Sequence, residues 1–264
     1  MKKVAILIPS YKPKEYLERC LLSLEKQTLP KNQFCVYICL NGPQQPYEKY
    51  ILNILNEIDF TYKYLYINRI GVSNARNKLL DFSKEEFIAF VDDDDLVSEN
   101  YLQNLLDVST DKYIGIANIY YFRTDIKYLE KNYIGSDFRK LNNIEIVKVK
   151  TRRYFSSSCA KIIHRSMIGK TRFDINLKNG EDSLFMAMIS KDITAICKTT
   201  IDTCYYVCKR SGSSQSRKRG FYSKILTTIY LLKAYIKLFL IKEYDKAFIF
   251  TRILATIKKF IKDV

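Results

Sequence analysis

Short apolar runs alternate with amphipathic segments along roughly the first 120 residues of the chain. The apolar runs predict buried strands, and the segments whose apolar residues recur every three or four positions predict helices. The predicted strands cover residues 4–9, 34–40, 61–67 and 86–91, and the predicted helices cover 13–28, 46–58 and 73–82. This alternation predicts an α/β fold with a doubly wound, largely parallel sheet flanked by helices.

Polar residues follow three of the predicted strands at the point where each strand ends. Ser10 and Tyr11 follow the first strand, Asn41 ends the second, and the run Asp92 to Asp95 follows the fourth. Ligands of such sheets bind beyond the carboxyl ends of the strands. The pattern therefore predicts a ligand site at this edge.

The run FVDDDDL at residues 90–96 concentrates negative charge within an otherwise basic chain. Adjacent carboxylates disfavour one another's ionisation, whereas a hard divalent cation such as Mg²⁺ or Mn²⁺ prefers oxygen ligands. Asp92 and Asp94 alternate, so both could address one ion while Asp93 and Asp95 serve other roles. A second interpretation stays open, because SENYLQNLLDV predicts a helix whose N-terminus acidic residues would cap.

The segment IGVSNARNKLL at residues 70–80 predicts a helix start followed by a basic residue. Gly71 and Ser73 lie at the start, and Arg76 lies on the second turn. A helix N-terminus with an arginine suits a diphosphate. The alternative is a solvated arginine.

The segment NGEDSLFMAMI at residues 179–189 predicts a turn and a helix that begins with two acids, Glu181 and Asp182. One interpretation is a general base presented from a helix N-terminus. The other is helix capping, and the segment alone does not decide between them.

The composition is typical of a globular protein, with 47% hydrophobic and 27% charged residues. Seven cysteines occur without a CxxC pair, and Cys35, Cys39, Cys204 and Cys208 lie in apolar, strand-like runs. We therefore expect buried free thiols and a reducing cytosol. The apolar run after Lys3 is too short for a signal peptide, and no stretch of about 18 to 20 apolar residues predicts a membrane span.

The formal net charge of +16 is concentrated at the end of the chain. Residues 205–264 hold 14 Lys and Arg against three Asp and Glu, and SSQSRKRG marks a change of composition. We predict a catalytic domain over 1–215 and a basic tail of two amphipathic helices over 216–264, broken near 243–245. The tail either packs on the domain with solvated lysines or docks on an anionic membrane. No nucleic-acid-binding motif occurs, so no nucleic acid partner is predicted.

Several segments occur in an order typical of one enzyme family. They are IPSYKPKEYLERCLLSLEKQ, GVSNARNKLL, FVDDDDLVSENYL and GEDSLF, with a looser CAKIIHRSMIGKTRFD at 159–174 before the last. The ordered set resembles the family 2 glycosyltransferases of bacterial polysaccharide synthesis, over about residues 3–214. The resemblance implies the Rossmann-like GT-A fold and an inverting enzyme.

On the donor side, the resemblance implies a UDP-sugar site lined by Pro9, Ser10 and Tyr11, with Tyr11 beside the base. Arg76 would face the diphosphate or hold the acid cluster in place. Asp93 would also bind the donor. The departure from the family at the end of the second strand is Asn41, where an acid usually reads the nucleobase.

Asp92 and Asp94 correspond to the DXD motif of the family. Asp94 would be the direct ligand of Mn²⁺ or Mg²⁺, Asp92 would lie nearer the ribose and sugar, and Asp95 would support them. Asp182 corresponds to the catalytic base, and Glu181 to its partner near the acceptor.

The late metal-binding histidine of many members is missing, because that region reads YYVCKRSGSSQSR. Lys209 and Arg210 would contact the leaving diphosphate instead. The lone histidine, His164, lies in a strand-like run and is interpreted as structural.

The function predicted is sugar transfer from a nucleotide-sugar to a hydroxyl of a glycan or lipid-linked acceptor, in cell-surface polysaccharide synthesis. The enzyme is expected in the cytoplasm, peripheral on the inner face of the membrane. A metal-dependent nucleotidyl- or phosphotransferase would leave the helix after Gly180 unexplained. A basic, non-catalytic membrane-binding protein would leave the acid run idle.

Overall fold

The computed structural model describes residues 3–146, 148–210 and 220–263. The strands are β1 Val4–Ser10, β2 Phe34–Asn41, β3 Tyr62–Ile67, β4 Phe87–Phe90, β5 Leu96–Val97, β6 Tyr113–Ile116, β7 Asn118–Phe122, β8 Glu130–Lys131, β9 Ile144–Glu145, β10 Lys161–His164, β11 Ala195–Lys198 and β12 Cys204–Cys208. The helices are α1 Glu15–Glu25, α2 Tyr47–Asn56, α3 Val72–Phe82, α4 Tyr101–Val108, α5 Lys148–Thr151, α6 Arg165–Ile168, α7 Glu181–Ile189, α8 Phe221–Leu240 and α9 Lys246–Asp263. Short 3₁₀ turns occupy Lys31–Gln33, Gly135–Lys140, Arg152–Ser156 and Ser190–Asp192.

The main sheet has the strand order β3-β2-β1-β4-β10-β6-β11-β9 within the described ranges. Strand β1 is parallel to both β2 and β4, with Val4 opposite Phe34 on one side and Phe87 on the other. Strand β10 is antiparallel to β4 and β6. The sheet confirms the predicted α/β fold, and its first four strands match the predicted runs to within one residue at each end.

The core of the sheet follows from the apolar runs. Every residue of β1 and β2 is buried, as expected for strands covered on both faces. Helix α1 buries one stripe against them, formed by Leu17, Cys20, Leu21 and Leu24. Because β1, β2 and β4 are parallel, their carboxyl ends lie at one common edge of the sheet.

A smaller sheet with the order β5-β12-β7-β8 packs beside this edge. Strand β12 is parallel to β7 and antiparallel to β5, which directly follows the acid run. The backbone N–H of Cys208 donates to Asp95 Oδ1 at 2.8 Å. The late segment of the chain is thereby attached to the acid run.

All seven cysteines are buried free thiols, which confirms that prediction. His164 accepts a hydrogen bond from the backbone N–H of Ser166 and packs edge-on against Phe87, with ring centroids 5.1 Å apart. Its contacts agree with the structural role predicted for it. Within the described ranges, none of the helices has the length and apolar character needed to cross a membrane.

The C-terminal segment forms two helices, α8 and α9, as predicted, and one face of the pair packs on the rest of the molecule. Leu231, Tyr235 and Leu238 of α8 are buried, and Tyr235 Oη lies 2.9 Å from Ser183 Oγ on α7. Phe248 of α9 packs against a phenylalanine of the 3₁₀ turn Arg152–Ser156. The predicted boundary between 215 and 216 lies outside the described residues.

We predict that Gly180→Ala lowers the free energy of unfolding by about 1–2 kcal/mol, because φ at Gly180 is +84°. A Cβ there would also lie 2.8 Å from Leu231 Cδ1. The matched control is Gly220→Ala, where φ is −61° and no atom lies within 4 Å of the added carbon. Urea unfolding measures both variants, and equal losses in the two would contradict the prediction.

Candidate active site

The acid run forms a tight turn at the carboxyl edge of the main sheet. Strand β4 ends at Phe90, and the backbone N–H of Asp95 donates to the carbonyl of Asp92 at 3.2 Å. Ser10 at the end of β1 donates its hydroxyl to Asp93 Oδ2 at 2.6 Å. The predicted meeting of strand ends is therefore present, because parallel neighbours terminate at the same edge.

Arg76 connects the acid turn to helix α7. Its Nη2 lies 2.8 Å from Asp92 Oδ1, and its Nη1 lies 3.0 Å from Asp182 Oδ1. The guanidinium packs over the ring of Phe173 at 5.2 Å. Arg76 is only 2% exposed, which excludes the solvated arginine.

Burial alone would lower the pKa of Arg76, but the charges of Asp182 and Asp92 reverse this effect, so its pKa lies well above its ordinary value. A buried guanidinium is costly unless carboxylates pair with it. Its Nε is buried without a hydrogen-bond partner among the described residues. The two ion pairs therefore fix where the arginine and both carboxylates lie.

The remaining acids of the turn are held by different partners. Burial, followed by the charge of Asp94, raises the pKa of Asp93 to about 7 against the lowering effect of the bond from Ser10. Burial also raises the pKa of Asp95, which accepts the N–H of Cys208. Placing several carboxylates in one turn is therefore energetically unfavourable. Cationic ligands or side chains that bind there would offset this cost.

Arg210 and Lys209 follow β12 but have different partners. Arg210 Nε lies 2.5 Å from Asp94 Oδ2, and its guanidinium stacks over Tyr16 at 5.2 Å. Lys209 lies 2.6 Å from a carboxylate oxygen of Glu130 on the smaller sheet. Of the two residues predicted to contact the diphosphate, Arg210 therefore lies at the acid turn, whereas Lys209 pairs with Glu130.

A small pocket lies beside this ion pair, lined by Tyr11, Lys12, Pro13, Lys14, Tyr16, Leu17, Asp93 and Arg210. A larger groove of about 880 Å³ lies elsewhere, between α4 and β11, and shares no lining residue with the small one. The small pocket is lined by Asp93 and Arg210, so it is the candidate entrance of the site.

Asn41 is 2% exposed, and its amide bonds to backbone on both sides. Its Nδ2 donates to the carbonyl of Ser10 at 2.7 Å, and its Oδ1 accepts from the N–H of Gly71 at 2.9 Å. These bonds hold the ends of β1 and β2 to the start of α3. Pro9 is buried within β1, whereas Tyr11 is 39% exposed at the edge.

Helix α7 begins with the two acids that the sequence singled out. Asp182 Oδ1 accepts from Ser158 Oγ at 2.5 Å and from the Ser158 N–H at 3.2 Å, besides Arg76. Burial, then the charge of Asp182, raises the pKa of Glu181 to about 7. Glu181 Oε2 is buried without a hydrogen-bond partner in the described part of the chain.

No three His, Cys, Asp or Glu side chains converge into a preformed metal centre within residues 3–146, 148–210 and 220–263. Asp92 and Asp94 each place one carboxylate oxygen on an arginine, and the second oxygens have no hydrogen-bond partner in these ranges. Two such oxygens fit Mg²⁺ or Mn²⁺, which bind proteins through one or two carboxylates plus substrate phosphates.

Three polar residues at this site were not predicted. Ser158 lies in a run of serines, Lys161 in an apolar strand, and Tyr205 in β12, where its hydroxyl accepts the N–H of Asp92 at 3.1 Å. Ser158 and Tyr205 meet Asp182 and Asp92 across long sequence separations, whereas Lys161 bonds to carbonyls within four positions of itself. The hydrophobic pattern of the sequence carries no signal for any of these contacts.

The family model "Glycosyl transferase family 2" matches residues 5–172, a span that holds Arg76 and the acid turn. The chain is 23% identical over 218 residues to a poly(ribitol-phosphate) beta-N-acetylglucosaminyltransferase, TarS, of Staphylococcus aureus (strain Mu50 / ATCC 700699). It is 25% identical over 243 residues to a poly(ribitol-phosphate) beta-glucosyltransferase of Bacillus spizizenii. The matches cover 82% and 88% of this chain but only 37% of each relative.

Solved structures share the GT-A fold of this chain. The structure of S. aureus TarS 1–349 in complex with UDP-GlcNAc matches with a TM-score of 0.78 and 18% identity, covering 98% of this chain and 73% of that one. A mannosyltransferase from Pyrobaculum calidifontis in complex with GDP-Man and Mn²⁺ matches with a TM-score of 0.66 and 12% identity, over 98% and 69%. Because the family model spans more than half of the sequence, the chain belongs to glycosyl transferase family 2.

Proposed function

We propose that this chain is an inverting glycosyltransferase that moves a sugar from a UDP-sugar to a hydroxyl of a glycan or lipid-linked acceptor in cell-surface polysaccharide synthesis. The observation that carries the proposal is the Arg76 bridge, which joins Asp92 of the acid turn to Asp182 of α7. A carboxylate on the proposed donor side and a candidate base thus form one network around a buried arginine. A nucleotidyl- or phosphotransferase would need the acid turn but has no use for Asp182.

The relatives support the donor and the kind of sugar. TarS is named for N-acetylglucosaminyl transfer to poly(ribitol-phosphate), and its structural match holds UDP-GlcNAc. The Bacillus relative is named for glucosyl transfer. A hexosyl or N-acetylhexosaminyl group from a UDP-sugar is therefore proposed, with a polyol-phosphate or glycan acceptor as the first candidate to test.

On the donor side, Pro9, Ser10 and Tyr11 are proposed to line the nucleotide site, with Asn41 shaping the base pocket. Arg210 and Lys209 are proposed to contact the diphosphate, and Asp93 to lie beside it. When bound to Asp94 and Asp92, Mn²⁺ or Mg²⁺ would neutralise charge on the leaving nucleoside diphosphate. The ion pair with Arg76 holds Asp92 in place.

In the proposed chemistry Asp182 accepts the proton of the acceptor hydroxyl. The oxygen bonds to the anomeric carbon from the face opposite UDP, while the bond from that carbon to the diphosphate oxygen breaks. A single displacement inverts the anomeric configuration. Glu181, half-buried beside Asp182, is proposed to face the acceptor.

We also propose that α8 and α9 hold the enzyme on the inner face of the cytoplasmic membrane. Besides their buried residues, the two helices expose large apolar side chains: Phe221, Tyr222, Leu226, Ile229, Ile236, Leu240, Phe250, Leu254, Ile257 and Ile261. The same helices carry exposed lysines, including Lys258, Lys259 and Lys262 of α9. Exposed apolar groups with interspersed lysines suit the interface of an anionic bilayer.

Asp94→Ala should weaken UDP binding in the presence of Mn²⁺ by at least about tenfold, or 1.4 kcal/mol, because the principal metal ligand is lost. Asp111→Ala, which removes an exposed aspartate, serves as the matched control. Titration calorimetry with and without a chelator measures the effect. If the wild type binds UDP with equal affinity with and without the chelator, the proposed role of the metal is wrong.

Asp182→Asn should lower turnover by roughly 10² or more while UDP affinity holds, because an amide nitrogen replaces the oxygen that would take the proton. The amide oxygen can still accept the bonds from Arg76 and Ser158. The assay follows UDP release from UDP-GlcNAc and UDP-glucose with poly(ribitol phosphate) as acceptor. Near-normal turnover in this variant would remove Asp182 from the mechanism, and a folded wild type that turns over no nucleotide-sugar would refute the proposed function.

Reversing Lys258, Lys259 and Lys262 to Glu should reduce binding to anionic vesicles at least about tenfold, since each such lysine contributes about 1 kcal/mol. The control reverses three exposed lysines of the catalytic body, Lys49, Lys63 and Lys84, with the same change of net charge. Co-sedimentation with vesicles of phosphatidylglycerol and of phosphatidylcholine measures both. Equal losses in the two triple variants would show that the tail has no special role.

A further inference from the structure

The carboxylate of Asp182 uses its two oxygens differently. Arg76 Nη1, Ser158 Oγ and the Ser158 N–H all donate to Oδ1, at 3.0, 2.5 and 3.2 Å. Oδ2 receives no hydrogen bond from the described residues, and the side chain keeps 24% of its area exposed. A carboxylate held through one oxygen presents the other in a fixed direction.

Ser158 supplies two of the three donors, and it is fully buried. The segment that carries it is fixed on both sides, since Cys159 bridges to Phe90 at the end of β4 and the carbonyl of Ala160 accepts from Ala117. Ala160 has a φ of +62°, which a residue other than glycine adopts at a cost. The backbone next to Ser158 is therefore held in an unfavourable conformation at Ala160, while Ser158 bonds to Asp182 on α7.

Lys161 lies beneath this segment with an exposed fraction of 1%. Its ammonium donates to the carbonyls of Ser157 and Cys159, both at 2.6 Å, on either side of Ser158. Burial lowers its pKa to about 8. Burying an ammonium group costs free energy, which its hydrogen bonds to two backbone carbonyls offset. The lysine therefore fixes the position of the segment that carries Ser158.

We infer that Ser158, held by Lys161, is a positioning residue for Asp182: it fixes Oδ1 so that Oδ2 is left to receive the proton of the acceptor. The inference rests on the proposed function, because Asp182 matters in this way only as a general base. Neither side chain touches the reacting atoms. Both act through the orientation of the Asp182 carboxylate, to which a catalytic rate is sensitive.

The first test is a double-mutant cycle on turnover. Ser158→Ala keeps the N–H but loses the hydroxyl, and we expect kcat to fall about tenfold while the donor KM changes less than about twofold. In the Asp182→Asn background the same change should alter the residual kcat by less than about twofold, because the base on which it acts is gone. Lys161→Met, which leaves both carbonyls unpaired, should follow the same pattern.

The matched control is Ser109→Ala, a buried serine with one donated and one accepted hydrogen bond on α4 and β6. Its kcat should match the wild type. A fall in kcat after Ser158→Ala that is equally large in the Asp182→Asn background would overturn the inference, because the serine would then act by general destabilisation.

The second test needs no substrate and separates this inference from the proposed function. In urea unfolding, Ser158→Ala should change the unfolding equilibrium constant about tenfold less in an Asp182→Ala background than in the wild type, because a hydrogen bond to a charged group is lost only once. Asp182→Asn replaces Asp182→Ala if the latter does not fold, with a smaller expected coupling. Additive effects would refute the contact, whatever sugar is transferred, whereas coupled unfolding in a protein inactive toward every nucleotide-sugar would refute the proposed function alone.

Discussion

A buried guanidinium is the constraint on which the arrangement of this site depends. Removing Arg76 from water costs several kcal/mol unless its charge is matched. Asp92 and Asp182 match it from two directions, and they are 90 positions apart in the sequence. Helix α3, the acid turn and helix α7 must therefore meet at one point, and the ion pairs that satisfy the arginine bring a carboxylate of the acid turn close to Asp182, the candidate base.

In the acid turn, as around Arg76, an unfavourable placement of charge is offset by hydrogen bonds and ion pairs. Burial and mutual repulsion raise the pKa values of Asp93 and Asp95, so the turn on its own is an unfavourable place for charge. Ser10, the Cys208 N–H and Arg210 each offset part of that cost. Because Arg210 and Cys208 come from the end of β12, the smaller sheet completes the site as much as the strand that precedes the acids does.

The sequence allowed much of this to be predicted where the cause is local. The apolar runs of β1, β2 and β4 are buried on both faces, so their period and length identify them, and their parallel pairing brings Ser10, Asn41 and the acid turn to one edge. The smaller sheet was not predicted, because β5 and β8 are two residues long and depend on distant partners. Ser158 was missed for the same reason: it contacts Asp182 24 positions later, and a serine carries no periodic signal.

The tail shows why the two interpretations of a basic amphipathic segment need not compete. One face of α8 packs on the rest of the molecule at the start of α7, which carries Asp182, with Leu231 beside Gly180 and Tyr235 Oη on Ser183. Other apolar side chains and lysines of α8 and α9 are exposed to solvent. Deleting the tail would thus expose the buried face and disturb the start of α7 together, and a loss of activity or of solubility would say nothing about membranes. Charge reversal at Lys258, Lys259 and Lys262 changes exposed side chains of α9 and leaves the contacts between α8 and α7 in place, so it separates membrane attraction from the packing of the tail.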